Sequence, residues 1–235
     1  MLTWDLSNGR FVCRGFKDFQ AFTGTRRFAV EPGCFAAADL RSAAARFGLN
    51  PDAVVGMEQV HGGIVRAVDR AEDAVVPGCD GLVTDCPSTV LVMRSADCLP
   101  VVAYDPVRRV IGVAHAGWKG LKSGIAKCLV DTLIAHFGSV PEAVYVGIGP
   151  GIGSCCYEVG AEFERWFPRH LKPENGKCFF DLKAAAADQL VSAGIQKARV
   201  FSSPWCTSCF SEECFSYRRD GPGGGRLITC VMLSS

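Results

Sequence analysis

Histidine is scarce in this chain: four residues in 235, at His61, His115, His136 and His170. That excludes any site built from many imidazoles. Charge of one sign is also lacking, with 25 Lys and Arg against 24 Asp and Glu and no block of like charges. The basic footprint of a nucleic-acid-binding surface is therefore absent, and no such partner is expected. No apolar run approaches the roughly 18 residues of a membrane span. The N-terminal MLTWDLSNGRFVCRGF has no basic stretch leading into an apolar one, so no signal peptide and no membrane association are expected, and the cytoplasm is the default location. Internal repeats, low-complexity tracts and linkers are missing too, and residues 1–235 read as one domain.

Cysteine is abundant instead: thirteen, an odd number. Most sit singly in apolar runs, as Cys13, Cys34, Cys128 and Cys230 do, where a free thiol behaves as a small hydrophobe. A disulfide framework belongs to short secreted chains, so reduced core thiols are the expectation. About half the residues are apolar, enough for a sizeable core.

The chain is organised around Arg94–Gly120. Leu99 to Tyr104 and Val110 to Ala114 read as two apolar strands joined at the turn signal Asp105-Pro106. Such a hairpin brings Asp97-Cys98 near His115. Residues 10–30 suggest a short strand and an irregular loop. Phe35 to Phe47 reads as a helix stopped at Gly48. Val54-Val55, Ile64 to Val68, Leu82 to Thr84, Thr89 to Met93, Ala143 to Ile148, Lys197 to Ser202 and Leu227 to Leu233 read as strands. Further helices are expected over 118–137, Val159 to Phe167 and Asp181 to Ala193, the last with Asp181 as N-cap and Gly194 as stop. The elements lack a strict strand–helix alternation, which predicts an α+β fold.

His61, Cys98 and His115 all fall at strand ends or turns beside small residues. One thiolate and two imidazoles suit Zn²⁺ and leave a fourth position open, the pattern of a catalytic site. Their spacing is no zinc signature, and a buried thiol with two backbone-bonded histidines is the plainer alternative. Cys206 and Cys209, with Cys214, resemble half a zinc ribbon, with Cys230 a fourth ligand only if the fold brings it near; clustered free thiols are the alternative. The glycine-rich run 147–153 lacks the Lys-Ser/Thr of a phosphate loop, and a tight turn explains it better than an anion nest. Lys119, Arg218, Arg219 and Arg226 offer cations for a phosphate or carboxylate, or simply a solvated basic surface.

Several motifs recur together in order: Gln59-Val60-His61-Gly62; Ala96-Asp97-Cys98-x-Pro100; Ala114-His115-Ala116-Gly117-Trp118-Lys119-Gly120; Gly149-Pro150-x-Ile152-Gly153-x-Cys155-Cys156-Tyr157-Glu158-Val159; and Cys206-Thr207 followed by Phe215-Ser216-Tyr217-Arg218-Arg219. They closely resemble the laccase-domain family, also called the polyphenol oxidase or YfiH/YlmD-like family, from about residue 55 onward. The resemblance implies a single α+β domain of packed mixed β-sheets flanked by helices, similar to the cytotoxic-necrotising-factor deamidase fold. It implies Zn²⁺ held by His61, Cys98 and His115, and phosphorolysis of adenosine, inosine, guanosine and methylthioadenosine with adenosine deamination. Substrates would then be a purine nucleoside and phosphate, on a monomer or small homo-oligomer. Asp97, Cys98 and His115 are the expected catalytic residues, with Arg41, Lys119 and Arg218 at the substrate and phosphate. Relatives carry an Asn-Arg pair where Leu40-Arg41 stands here, in a shortened region, and Cys209 and Cys214 are additions to the pattern. Competing readings are a Cys98 hydrolase of cell-wall precursor amides with His115 as base, and a zinc scaffold without catalysis. Copper oxidation of phenols is set aside, since four histidines cannot build a multi-copper site.

Overall fold

A computed structural model of the chain describes residues 2–31, 36–69 and 75–234. Cys34 and Phe35, placed above in an apolar run and at a helix start, lie outside the described residues. β1 (Thr3–Ser7), β2 (Arg10–Arg14) and β3 (Phe19–Gly24) open the chain as an antiparallel meander, where one strand and a loop are expected. The overlooked signal is Asn8-Gly9. Both residues take positive φ, 51° and 70°, as a two-residue hairpin turn requires. α1 (Ala37–Arg46) follows, then β4 (Val54–Met57), β5 (Val65–Ala67), β6 (Val75–Val76), β7 (Gly81–Thr84) and β8 (Val90–Ser95).

The expected hairpin forms as β9 (Leu99–Asp105) and β10 (Val110–Ala116), antiparallel, with His115 opposite Pro100 and Ala116 opposite Leu99. Asp105 Oδ1 accepts from the Val107 and Arg108 amides, at 2.8 and 3.0 Å, and so closes the turn. The single helix expected over 118–137 is two: α2 (Trp118–Lys122) and α3 (Ile125–Phe137), broken at Gly124 with φ 79°. β11 (Tyr145–Ile148) and β12 (Glu158–Val159) come next. The helix expected over 159–167 is only one turn of 3-10 helix at Ala161–Arg165, bounded by Gly160 and Pro168. Its Phe163, with Phe167 beyond it, packs on Phe180 at 5.3 and 4.6 Å between centroids, so aromatic packing holds a segment too short to hold itself. β13 (Leu171–Glu174) and β14 (Lys177–Phe180) form a hairpin the sequence reading passes over. α4 (Leu182–Ser192) begins as expected, with Asp181 Oδ1 accepting from the Ala184 amide at 3.0 Å. β15 (Val200–Ser202), α5 (Tyr217–Asp220) and β16 (Leu227–Leu233) complete the chain.

Among the described residues the sheets are β1-β2-β3-β16-β8-β4-β6, β15-β11-β9-β10-β7-β5, and the small β12-β14-β13. Both β9 and β10 are buried along their whole length, which is why they read as unbroken apolar runs. Side chains alternate between two cores. Leu99, Val101 and Ala103 join α3's Leu129 and Leu133 and α4's Leu190, while Val102 and Tyr104 join Leu91, Met93 and Val231 of the larger sheet. The far face of that sheet buries Val92, Ile228 and Cys230 beneath Leu40, Ala43 and Ala44 of α1. The result is four layers, helix on sheet on sheet on helices, and the α+β class holds. Gly112 of β10 sits where a Cβ would lie 2.8 Å from Leu129 Cδ1, so glycine is what lets α3 approach the sheet. His115 shares the inter-sheet face with Ile111 and Val113, at the end of the gap between the two large sheets.

Candidate metal centre and cavity

The hairpin register places Cys98, one residue before β9, against the loop after β10. A Cβ on Gly117 would stand 2.6 Å from Cys98 Sγ. Only a glycine leaves the thiol room there. The third residue arrives from a distance in sequence. His61 follows β4 in the segment 58–64, with φ of 62°, and Gln59 two residues earlier has φ of 65°. Positive φ on non-glycine residues costs of order 1–3 kcal/mol each and persists only when surroundings impose it. Gln59 is imposed by its amide: Nε2 donates to the Arg94 carbonyl at 2.7 Å, and Oε1 accepts from the Arg94 amide at 2.9 Å. One ligand atom each from His61, Cys98 and His115 lie within 4.8 Å of one another, and the imidazole centroids are 4.8 Å apart at 79°.

Asp80 holds the group together, and the sequence reading misses it. Its Oδ1 accepts from the His61 amide and faces His115 Nδ1, both at 2.9 Å, while Oδ2 accepts from the Gly62 amide at 2.7 Å. The His115 amide donates to the Asp80 carbonyl at 2.7 Å. Asp80 is wholly buried and His115 is 3% exposed. Burial opposes charge on Asp80, but His115 and the two amides outweigh it and hold the carboxyl below the usual range. A carboxylate on Nδ1 fixes the tautomer and turns Nε2 toward a metal, the support that metal-ligating histidines usually have. A thiolate and two oriented imidazoles fit a thiophilic divalent ion. That ligating histidines need such a carboxylate is general; which of the 24 acidic residues supplies it is not written in spacing.

Without a metal, burial would push the Cys98 thiol up, but His115 and His61 outweigh it and hold the thiol down. Burial likewise disfavours charge on His115, but Cys98 and Asp80 raise it. The pair is then a thiolate beside an imidazolium. Two outcomes are expected. Asp80→Asn keeps the shape but loses the charge that orients His115, and metal affinity falls about 10- to 100-fold by competition with a chelating dye. Because the Asp80 carboxyl is held down in the fold, the wild-type contact contributes above pH ~4 and is lost only as pH falls below that. Gly117→Ala forces Cys98 Sγ aside, and affinity is expected to fall about tenfold or more, with an unchanged circular dichroism spectrum.

The three residues open onto a cavity of about 900 Å³. Val60, Trp118, Tyr157 and Tyr217 supply apolar wall, and Lys119, Arg218 and Arg226 supply cations. Val60 and Tyr217 are 50% and 54% exposed, and the Arg226 guanidinium lies 5.7 Å from the Tyr217 ring centroid. Lys119 and Arg218 therefore meet at the cavity, but Arg41 does not. Arg41 is exposed on α1 and absent from the cavity wall, because Leu40, Ala43 and Ala44 are the helix face that packs on the sheet. Asp97, with φ of 84°, lines the cavity but has its carboxylate engaged by neighbouring loops. Oδ1 accepts from Thr207 Oγ1 at 2.6 Å, and Oδ2 from Ser216 Oγ at 3.0 Å and the Arg218 amide at 2.7 Å. Both oxygens are engaged, so Asp97 ties the loops after β15 to the hairpin and is placed to position its neighbour Cys98.

The cysteine-dense loop is also rearranged relative to expectation. Cys214 and Cys230 are buried in separate cores. Cys206 and Cys209 instead meet Cys155 and Cys156 from the loop after β11, with the four sulfurs within 4.8 Å of one another.

Residues 36–234 match the family model described as multi-copper polyphenol oxidoreductase laccase. The purine nucleoside phosphorylase YlmD of Geobacillus stearothermophilus is 37% identical over 191 residues, covering 74% of this chain and 70% of that protein. Adenosine deaminase RL5, from an unknown prokaryotic organism, is 32% identical over 205 residues, covering 80% and 78%. The structure of YfiH from Bacillus licheniformis superposes with a TM-score of 0.88 at 28% identity, covering 98% of this chain and 99% of that one. With its four-layer fold shared along the whole chain and its sequence matched from α1 to β16, this protein belongs to the laccase-domain, YfiH/YlmD-like family.

Proposed function

We propose that this single domain is a zinc-dependent purine nucleoside phosphorylase that acts on adenosine, inosine, guanosine and methylthioadenosine and also deaminates adenosine. The observation that carries the reading is the convergence of His61, Cys98 and His115, with Asp80 behind His115, on a cavity of nucleoside size in a chain whose relatives bear those names. His61, Cys98 and His115 hold the ion. When bound, zinc supplies a Lewis acid and lowers the pKa of water toward 7.

The chain's own residues do the rest. Asp80 keeps Nδ1 of His115 protonated and the ring aligned. Lys119 and Arg218 attract phosphate to the cavity mouth. Arg218 Nη1 donates to the Glu158 carbonyl at 2.7 Å, and its guanidinium lies 5.2 Å from the Tyr157 ring, which braces it there. Val60, Trp118 and Tyr217 offer faces to the purine. With Asp97 committed to the loops, Glu58 is the cavity carboxylate placed to carry a proton in deamination; it is exposed, with Oε2 accepting from the Gly78 amide at 2.7 Å. The geometry argues against the copper oxidation that the family model's description names, since the cavity gathers two imidazoles and His170 sits apart on Asp188.

A second reading rests on the thiolate–imidazolium pair: Cys98 as nucleophile, with His115 as the base that has taken its proton and passes it to the leaving amine, in an amide hydrolase of cell-wall precursors. One experiment separates them. Zinc-loaded protein is incubated with inosine, adenosine and a cell-wall precursor amide, with and without phosphate. Phosphate-dependent release of hypoxanthine is expected. No nucleoside turnover, with amide cleavage by the metal-free protein that iodoacetamide abolishes, would replace the first reading with the second.

A further inference from the structure

Four thiols stand together outside the catalytic cavity, brought from two segments roughly fifty residues apart. Cys155 and Cys156 lie in the tight turn after Gly153, where the Cys156 and Tyr157 amides both donate to the Gly153 carbonyl at 3.0 Å. Cys206 and Cys209 bracket a second turn, closed by the Phe210 amide on the Cys206 carbonyl at 3.0 Å. The two segments are already stitched by a parallel bridge between Gly151 and Cys206, and by the Thr207 amide on the Gly151 carbonyl at 3.1 Å.

The sulfur spacing discriminates between the fates open to such a cluster. Cys209 Sγ is 3.6 Å from Cys155 Sγ and 3.4 Å from Cys156 Sγ. A disulfide needs about 2.05 Å. A tetrahedral ion with sulfurs at about 2.3 Å sets its ligands about 3.8 Å apart. Those two separations are within about 0.4 Å of that spacing, and all four sulfurs lie within 4.8 Å of one another. Its surroundings suit thiolates. The Gly153 amide donates to Cys206 Sγ at 3.2 Å. A Cβ on Gly153 would stand 3.2 Å from Cys155 Sγ and 3.3 Å from Cys206 Cβ, so glycine gives the room for that approach. Four thiolates around a divalent ion leave a net charge of minus two. Lys183 caps the Ser203 and Trp205 carbonyls at 2.6 and 2.8 Å and so brings an ammonium group to the Cys206 side of the cage, while Lys172, which reaches Ser154 Oγ at 3.1 Å, is paired with Asp181 at 2.7 Å.

We propose that Cys155, Cys156, Cys206 and Cys209 form a second metal site, a closed tetrathiolate that holds one zinc ion and clasps the two loops framing the catalytic cavity. Four protein sulfurs leave no open position, so the site is structural. Its reach into the first site runs through neighbours: Tyr157, beside Cys156, lines the cavity, and Thr207, beside Cys206, holds Asp97 Oδ1. The clasp stands whether or not nucleosides are the substrate.

The test counts metal on full-length protein reconstituted with zinc under reductant and desalted, by elemental analysis. Wild type is expected to carry two zinc ions per chain. His61→Ala and Cys209→Ser should each carry one, Cys155→Ser likewise, and His61→Ala combined with Cys209→Ser none. Cobalt in the His61→Ala protein should give intense sulfur-to-cobalt charge-transfer and tetrahedral d–d bands that vanish when Cys209→Ser is combined with His61→Ala. The cobalt measurement needs no cysteine variant to fold, since it is first made with all four thiols present. One zinc in wild type, unchanged in Cys209→Ser, would overturn the proposal. So would a non-reducing intact mass two hydrogens light that maps to a Cys156–Cys209 link, which would make the cluster a disulfide pair.

Discussion

Cys98→Ala is expected to leave a folded protein without metal at the first site and with phosphate-dependent nucleoside cleavage reduced about a thousandfold or more. Cys98 supplies the thiolate of a three-residue set, and its removal leaves two imidazoles, too few to hold a divalent ion in a defined geometry. A metal's contribution to charge stabilisation is several kcal/mol, and about 4 kcal/mol corresponds to about a thousandfold in rate. The fold should survive, because Cys98 sits at the cavity and makes no contact within the two large cores. Elemental analysis, a melting curve and a hypoxanthine assay on one preparation decide it. Full turnover with the metal gone would refute the proposed chemistry. Retained metal with lost turnover would favour Cys98 as nucleophile.

The second large effect is expected on stability. Asp97→Ala should cost about 3 kcal/mol or more, measured by urea denaturation. Asp97 is 8% exposed and accepts from three donors, of which Thr207 and Ser216 are themselves buried. Hydrogen bonds to a charged acceptor contribute about 1.5–3 kcal/mol each, and the donors left behind stay desolvated. Asp97→Asn retains the shape and one carbonyl acceptor, and should lose about half as much. Were Asp97 instead the proton carrier of the reaction, both variants would lose activity while keeping wild-type stability. Thr207→Val offers a cross-check, since its loss should be far from additive with that of Asp97→Ala if the two act through one contact.

The central hairpin was legible in sequence because everything that makes it is local. Two β-rich apolar runs flank an Asp-Pro turn, and antiparallel pairing across the four residues between β9 and β10 carries Cys98 to the level of Gly117, beside the end of the strand that holds His115. The α4 start at Asp181 and the last strand were legible for the same reason. The helix over 118–137 was half legible: its apolar spacing continues through residues 123 and 124, but Gly124 takes a left-handed φ that no helix accommodates.

What the tertiary structure alone decided is long-range. His61 meets the hairpin only because β5 pairs with β7 and Asp80, just before β7, grips both histidine segments. Asp97 looked like the reaction's carboxylate by adjacency to Cys98, yet a positive φ turns it toward Thr207 and Ser216, more than a hundred residues on. Arg41 carried over by motif, but the buried stripe of α1 points it to solvent. Cys206 and Cys209 lacked a second pair within their own loop and found it in Cys155 and Cys156. Residue identities supplied the ligand chemistry; which ligands share a site depends on strand pairing between distant segments, and that pairing is set by burying both faces of β9 and β10 at once.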